Sequence, residues 1–165
     1  MSKPLDHLHS YWRMEYIETP KEPSGRKVNP FAGIAKAKDD KVVHVIYRGK
    51  FFYIVLNRYP YNPGHLMVVA NREVATLAEL DIKEQSNLMK MVIKAQDILK
   101  KGLNPEGFNV GFNFGSAAGA GIPQHLHCHI VPRWHSDTNF MPVIAHTKIL
   151  HQSLDSMWER LRQFV

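Results

Sequence analysis

The sequence predicts an α+β fold in which a meandering antiparallel sheet of about five strands carries helices on one face. Three observations support this class: short runs of β-branched and aromatic residues, one long segment with helical spacing of apolar residues, and an alternating apolar row around residue 127. With 165 residues, of which 44% are hydrophobic, the chain is long enough for one domain with a substantial core.

The chain divides into an N-terminal arm over residues 1–40, a central domain over 41–135 and a C-terminal extension over 136–165. The arm is rich in Pro, Lys and Gly, which favour turns and loops. We expect a short helix at 11–17 and a loop over 19–41.

The strands are predicted from β-branched and aromatic runs. Residues 42–46 and 51–56 form an antiparallel hairpin through Arg48-Gly49-Lys50, and residues 66–70 continue the sheet. Residues 108–114 form the next strand, and the alternating row is the last one.

The helices follow from capping signals and apolar spacing. A short helix is expected at 72–80, and a longer one begins after Asp81, because Asp81 and Glu84 have the spacing of a capping box. Gly102 is expected to end this long helix, and residues 147–164 form an amphipathic C-terminal helix. The apolar residues that recur at helical spacing in the long helix are Leu88, Met91, Val92, Ala95, Ile98 and Leu99.

The most informative segment holds three histidines at every second position: His125, His127 and His129. Side chains of an extended strand alternate between its faces, so the three imidazoles share one face. Each imidazole can attack a substrate, or accept or donate a proton, near neutral pH. The intervening residues, Leu126, Cys128 and Ile130, are expected to enter the core.

Three interpretations of this row remain open. The histidines are satisfied structural residues, or they bind a zinc ion, since alternate strand positions can converge on one metal. In the third interpretation one histidine is a nucleophile for a phosphorus compound. The glycine-rich segment 113–121 just upstream supports the third, because its backbone N–H groups can approach an anion.

The row resembles the motif of the histidine triad family of nucleotide-binding hydrolases and transferases. A second block, residues 53–69, is similar to that family's strand, turn and strand, with Asn57 in the place of a ribose-binding residue and His65 as a fourth histidine. The resemblance implies the family's antiparallel sheet and pairing of the chain into a homodimer or a larger homo-oligomer.

The flanking segments 11–17, 109–115 and 131–144 resemble the bacterial diadenosine tetraphosphate phosphorylase branch of this family. One departure is His135-Ser136, where the branch has a glycine-containing turn. It affects the local backbone after Trp134 and not the chemistry.

The resemblance also implies roles for individual residues. His127 is the nucleophile, with a backbone carbonyl on the glycine-rich loop fixing its proton, and His129 assists the leaving group. His125 and His65 orient the row. The nucleotide-binding residues implied in the same way are Asn57, Asn113, Ser116, Gly119, Gly121, Ile122 and Gln124.

The implied reaction is nucleotidyl transfer on a dinucleoside polyphosphate through an adenylyl-histidine. If inorganic phosphate is the acceptor, diadenosine tetraphosphate gives ADP and ATP; if water is the acceptor, the protein is a hydrolase or a nucleoside phosphoramidase. A module that only binds a mononucleotide is the remaining alternative. No cofactor is required, with Mg²⁺ at most accompanying the polyphosphate.

Several residues are candidates for contacts beyond the reacting phosphate. Arg133, Lys50 and Lys148 are basic and can bind the distal phosphates, or they are solvated surface charges. Trp134 can stack on a base or belong to the core. His135, His146 and His151 are expected to be surface or structural histidines.

Composition limits the partners and the location. The net charge of +6 suits polyanions, but the basic residues are scattered, which does not favour nucleic-acid binding. The single cysteine, Cys128, excludes an intrachain disulfide and fits a reducing cytoplasm. We expect no signal peptide and no membrane-spanning segment.

Overall fold

The computed structural model describes residues 29–139, 144, 150 and 152–165, and these residues form the expected α+β fold. A five-stranded antiparallel sheet is packed against α-helices. The strands are β1 (Val45–Arg48), β2 (Phe52–Leu56), β3 (Leu66–Ala70), β4 (Gly107–Phe112) and β5 (His127–Arg133). The described helices are α1 (Pro30–Lys36), α2 (Ile82–Leu103) and α3 (Leu154–Arg162), with short 3-10 turns at Leu77–Glu79 and Ser116–Ala118.

The order of strands across the sheet is β1-β2-β3-β5-β4. The chain therefore meanders from β1 to β3, but β5 then inserts between β3 and β4. In the resulting register, His129 lies opposite Met67 of β3 on one side and Gly111 of β4 on the other. The histidine strand is thus held by backbone hydrogen bonds along both of its edges.

The two faces of the sheet bury different sets of residues. One face packs against α2 and α3 and includes Leu126, Cys128 and Ile130, as the alternating pattern predicts. The prediction that helices cover only one face is wrong, because Phe31 of α1 packs on the opposite face. The smaller core on that face contains Phe31, Val45, Tyr53, Val55, Met67, Val69 and Ile122.

The long helix α2 confirms most of its prediction. The Asp81 carboxylate accepts from the Glu84 backbone N–H at 2.8 Å, and the Glu84 carboxylate accepts from the Asp81 N–H at 3.0 Å, which completes the capping box. The helix continues past the expected stop at Gly102 and ends at Asn104, which takes the left-handed conformation with φ of 49°. All six apolar residues predicted for the buried face are buried.

Helix α1 lies where a loop is predicted, and its start has a clear local cause. The Asn29 side chain accepts a hydrogen bond from the Phe31 N–H at 3.1 Å, and Pro30 occupies the first helical turn. An Asn-Pro pair is a helix-start signal, so the loop prediction over 19–41 is wrong for its last part. The helix predicted at 11–17 lies outside the described residues.

The first strand begins later than predicted. Asp39 accepts hydrogen bonds from the N–H groups of Lys41 and Val42, which holds residues 39–42 in a turn and leaves Val42 exposed. In place of the helix predicted at 72–80, the structure has only the short 3-10 turn Leu77–Glu79. The strand predicted at 108–114 corresponds to β4, which spans Gly107–Phe112.

The C-terminal helix α3 fastens onto the β1 side of the sheet. Trp158 donates from Nε1 to the Val45 carbonyl at 2.8 Å, and Leu161 is fully buried. The described part of this helix begins at Leu154, and residues 147–149 and 151 of the predicted span lie outside the described residues. No helix within the described ranges is both long and apolar enough to cross a membrane.

Candidate active site

The structure brings four histidines together at the β3–β5 side of the sheet. His127 and His129 lie on the same face of β5, and their ring centroids are 4.9 Å apart. His125 precedes the strand instead of belonging to it, so the prediction of three histidines in one extended row is correct for two of them. His65, immediately before β3, has its ring centroid 5.1 Å from that of His129.

The proton of His127 is fixed by the backbone just before its strand. Nδ1 of His127 lies 2.8 Å from the backbone carbonyl oxygen of His125, so Nδ1 must donate and Nε2 keeps its lone pair. The prediction that a carbonyl of the glycine-rich loop fixes this proton is therefore wrong, because the carbonyl of His125 already accepts the hydrogen bond from Nδ1. His127 is 7% exposed, and burial lowers its pKa. The ring is accordingly neutral at physiological pH, the state in which Nε2 is a nucleophile.

His65 holds His129 through a chain of hydrogen bonds in which each donor and acceptor is determined. Nδ1 of His65 accepts from the backbone N–H of Tyr61 at 3.1 Å, so the proton of neutral His65 is on Nε2. That Nε2–H donates to Nδ1 of His129 at 3.0 Å. Neutral His129 therefore carries its proton on Nε2, which makes this N–H a hydrogen-bond donor next to the His127 ring.

His125 is the most enclosed residue of the triad, with 1% exposure. Its Nε2 lies 2.7 Å from the Ala70 carbonyl oxygen, and its Nδ1 lies 2.9 Å from the Asn29 amide nitrogen. Both contacts are satisfied by a neutral ring protonated on Nε2, and burial lowers the pKa of His125 in agreement with that state. The position of His125 fixes the carbonyl on which the His127 tautomer depends.

Aromatic rings enclose the histidines from both sides. The ring of Phe31 lies 5.0 Å from that of His127 and 5.4 Å from that of His125, centroid to centroid. The ring of Tyr61 lies 4.8 Å from that of His65. Sequence reasoning missed Asn29, Phe31 and Tyr61; the Asn29-Pro30 helix-start signal was the available clue for the first two.

Asn57 belongs to the histidine network and to a turn at once. Its amide nitrogen is 3.3 Å from Nδ1 of His65, and its Oδ1 accepts from the Tyr59 N–H at 2.9 Å. These contacts place it beside the site.

The glycine-rich loop leads directly into the triad. Gly115 and Gly119 take positive φ angles of 78° and 87°, which non-glycine residues rarely adopt, around the turn Ser116–Ala118. Ile122 is buried in the smaller core, and its carbonyl accepts from the His125 N–H at 3.2 Å. The loop residues predicted to bind phosphate, which are Ser116, Gly119, Gly121, Ile122 and Gln124, lie along this connection.

A cavity of about 560 Å³ opens beside His129 on the β4–β5 surface. Besides His129, two residues predicted from the sequence line it, Asn113 and Arg133. Asp137 also lines it and is paired with Arg133 at 2.5 Å, which strongly lowers the pKa of that carboxyl. The remaining lining residues are Tyr61, Asn62, Asn109, Val110, Gly111, Phe112, His129, Val131 and Thr138.

Other candidates lie away from this cavity. Lys50 is stacked over the ring of Phe51, and Lys148 is outside the described residues. Trp134 donates from Nε1 to the Asn104 carbonyl at 3.2 Å, which anchors it to the end of α2. His135 is exposed and pairs with Glu106 at 2.7 Å, while His146 and His151 lie outside the described residues.

Ser136 occupies the turn in which a glycine is expected, and its φ of 59° is the left-handed conformation that glycine favours. The zinc interpretation requires at least three ligands around one point. Within residues 29–139 and 152–165, no group of three His, Cys, Asp or Glu side chains is arranged to hold a metal ion.

The comparisons with known proteins agree with this geometry. The model of the HIT domain family matches residues 38–136. An AP-4-A phosphorylase of Mycobacterium tuberculosis is 43% identical over 155 residues, which cover 91% of this chain and 79% of the relative. An asymmetrical bis(5'-nucleosyl)-tetraphosphatase of Schizosaccharomyces pombe is 36% identical over 93 residues, which cover 56% of this chain and 50% of the relative.

Solved structures share the fold. A histidine triad nucleotide-binding protein from Sulfolobus tokodaii superposes with a TM-score of 0.67 at 23% identity, covering 82% of this chain and 91% of that protein.

Proposed function

Because the chain belongs to the histidine triad (HIT) family, we propose that it is an enzyme that transfers an adenylyl group from a dinucleoside polyphosphate, with His127 as the nucleophile. The observation that carries this mechanism is the 2.8 Å contact between Nδ1 of His127 and the His125 carbonyl oxygen. It leaves Nε2 as the nitrogen that can attack phosphorus.

In the first step, Nε2 of His127 attacks the α-phosphorus and forms an N–P bond, while the P–O bond to the departing nucleotide breaks. The adenylated ring becomes cationic, and its Nδ1–H stays on the His125 carbonyl, which stabilises that charge. The departing oxygen leaves as an anion and accepts a hydrogen bond from the Nε2–H of His129, the position that His65 keeps protonated.

In the second step, an acceptor attacks the same phosphorus and breaks the N–P bond, which restores neutral His127. Inorganic phosphate attacks as an anion, and the Nε2–H of His129 donates a hydrogen bond to the reacting oxygen. With inorganic phosphate as acceptor, diadenosine tetraphosphate yields ATP in the first step and ADP in the second. The phosphorylase of M. tuberculosis, 43% identical over most of both chains, supports phosphate as the acceptor.

Further features of the protein are part of the same proposal. Backbone N–H groups of Gly119, Gly121 and Ile122, with side chains of Ser116 or Gln124, bind the α-phosphate, and Asn57 and Asn113 bind the sugar or a phosphate. No cofactor is needed by the histidine, and Mg²⁺ accompanies the polyphosphate. The central domain spans residues 41–135, with 1–40 as an arm and 136–165 as an extension.

The assembly and location are proposed on separate grounds. Among the described strands, β4 stands at one edge of the sheet and exposes Val110. An exposed edge can pair with the same edge of a second copy, which supports a homodimer. A cytoplasmic location is supported by Cys128, a buried thiol.

The proposed function is tested by separating the products of diadenosine tetraphosphate by ion-exchange chromatography, with and without inorganic phosphate at matched ionic strength. Phosphate-dependent ADP and ATP are expected. AMP and ATP that form regardless of phosphate would make the protein a hydrolase, the alternative that the tetraphosphatase of S. pombe supports. Binding of AMP without turnover would indicate a nucleotide-binding module.

A further inference from the structure

The cavity beside His129 runs along the outer part of β5 and ends at Arg133. His129, Val131 and Arg133 alternate along the strand, so they lie on the same face as the nucleophile. At about 3.4 Å per residue, the Cα atoms of His129 and Arg133 are about 14 Å apart. The cavity therefore begins at His129 and continues along β5 away from His127.

The guanidinium at its far end is fixed in place. Nε and one terminal nitrogen of Arg133 donate to the two carboxylate oxygens of Asp137, at 2.5 and 3.0 Å. The other terminal nitrogen donates to Oδ1 of Asn109 at 2.6 Å. These contacts use three of the five N–H donors of an arginine. The Arg133 side chain is 47% exposed and lines the cavity.

Asp137 is built to orient Arg133. Its side chain is 8% exposed, and it also accepts from the amide of Asn62 at 2.8 Å and from the Trp134 N–H at 3.3 Å. Both side chains line the cavity, but the Asp137 oxygens already accept these hydrogen bonds, whereas Arg133 keeps N–H donors that are not used by Asp137 or Asn109. The guanidinium is therefore pre-oriented, and its two remaining N–H donors can bind a phosphate oxygen.

We propose, resting on the proposed function, that this cavity is a subsite for the phosphate groups on the far side of the scissile bond, with Arg133 as their cation. The leaving oxygen accepts a hydrogen bond from His129, so the departing nucleotide lies on the His129 side, where the cavity begins. Negative charge grows on that nucleotide as the P–O bond breaks, which Arg133 at the far end stabilises. Inorganic phosphate, as the acceptor, must approach from the side that the leaving group vacates. It is therefore a second phosphate compound that can occupy the same subsite.

The test compares two substrates that give the same adenylyl-His127 but different leaving groups. Diadenosine tetraphosphate releases a polyphosphate that reaches the cavity, whereas adenosine 5'-phosphoramidate releases ammonia. Replacing Arg133 alone would strand the shielded Asp137 carboxylate, so the main variant is the double change Arg133→Gln with Asp137→Asn. Lys90→Gln, an exposed cation on α2 on the other face of the sheet, is the matched charge control.

We expect the double variant to lose about 10- to 100-fold in kcat/KM on diadenosine tetraphosphate, the usual worth of a charged hydrogen bond. Cleavage of the phosphoramidate should stay within about twofold, and Lys90→Gln should match the wild type on both substrates. Equal losses on both substrates, or no loss on either, would overturn the proposal.

Two further measurements distinguish the departing nucleotide from inorganic phosphate as the occupant of the subsite. They also test the subsite separately from the proposed function. A rise in KM for the dinucleotide assigns the subsite to the departing nucleotide, and a rise confined to KM for inorganic phosphate assigns it to the acceptor. Inorganic triphosphate should inhibit phosphoramidate cleavage in the wild type and about tenfold less in the double variant. This last result stands even if diadenosine tetraphosphate proves not to be a substrate, and equal inhibition of both proteins would overturn the subsite.

Discussion

Nδ1 of His127 lies 2.8 Å from the carbonyl oxygen of His125, a residue of the same triad two positions earlier. The backbone of one histidine thus selects the tautomer of the next. The same contact orients the ring before substrate binds and stabilises the charge that forms when Nε2 is adenylated.

The first prediction concerns activity and pH. Burial lowers the pKa of His127, so its nucleophile stays unprotonated below the ordinary histidine pKa of about 6.5. We expect kcat/KM to be level from pH 8 down to about 6.5 and to fall only below that value. A pH–rate profile checks this, with circular dichroism to verify folding at each pH. A decline that begins above pH 7 would mean that His127 is not held neutral.

The second prediction concerns stability and pH. The pKa values of His125 and His127 are both lowered in the folded chain, so below about pH 6.5 the unfolded chain binds more protons. The contribution of these two histidines to the free energy of unfolding is therefore complete above pH 6.5. It is lost as the pH falls through the range in which unfolded histidine titrates. Urea unfolding at pH 7.5 and at pH 5.5 measures the difference, and the variant His125→Gln should show a smaller one. Equal stability at the two values would contradict burial of neutral rings.

The third prediction concerns Asn29, whose amide donates to His125 and to Glu73 while its Oδ1 caps α1. Asn29→Asp keeps the cap but replaces the donor by an acceptor, so His125 pairs with it best as an imidazolium. We expect the pKa of His125 to rise, as seen by ring-proton NMR, and activity to drop about tenfold because one hydrogen bond of the triad is lost.

The matched control is Asn29→Ser, which retains a capping oxygen and introduces no charge. Its His125 pKa should stay low. If the His125 titration is the same in the Asp variant and in the wild type, the contact with Asn29 does not set the state of the ring.

Much of this architecture could be predicted because its signals are local. Strand β3, the capping box of Asp81 and Glu84, and the buried stripe of α2 each follow from residues within a few positions of one another. The alternation that sends Cys128 to the core and His127 to the site is equally local.

What could not be predicted depends on contacts distant in sequence. Asn29 reaches His125 across 96 positions, and Phe31 covers the triad only because α1 packs on the second face of the sheet. The insertion of β5 between β3 and β4 is a choice of topology that strand patterns do not encode. The carbonyl that orients His127 is an exception, because it lies only two residues away. Periodicity shows which face a side chain takes but not where its ring nitrogens point.

The fourth prediction concerns the proton that His65 directs onto Nε2 of His129. His129→Ala removes this donor and should lower kcat on diadenosine tetraphosphate by about 10- to 100-fold, the usual worth of a hydrogen bond to a charged group. An adenylyl ester of p-nitrophenol spreads the charge of its leaving group over the ring and should lose much less. Asn57→Ala, which loosens His65, should give an intermediate loss on the first substrate. Equal losses on both substrates would assign His129 a general binding role instead of stabilisation of the leaving oxygen.

The most direct test of the central claim is mass spectrometry of the protein after a brief incubation with diadenosine tetraphosphate in phosphate-free buffer. We expect one adenylyl group on the peptide that contains His127, lost when inorganic phosphate is added and recovered as ADP, and absent from His127→Ala. Turnover without any adduct, or an adduct that persists in His127→Ala, would contradict the account.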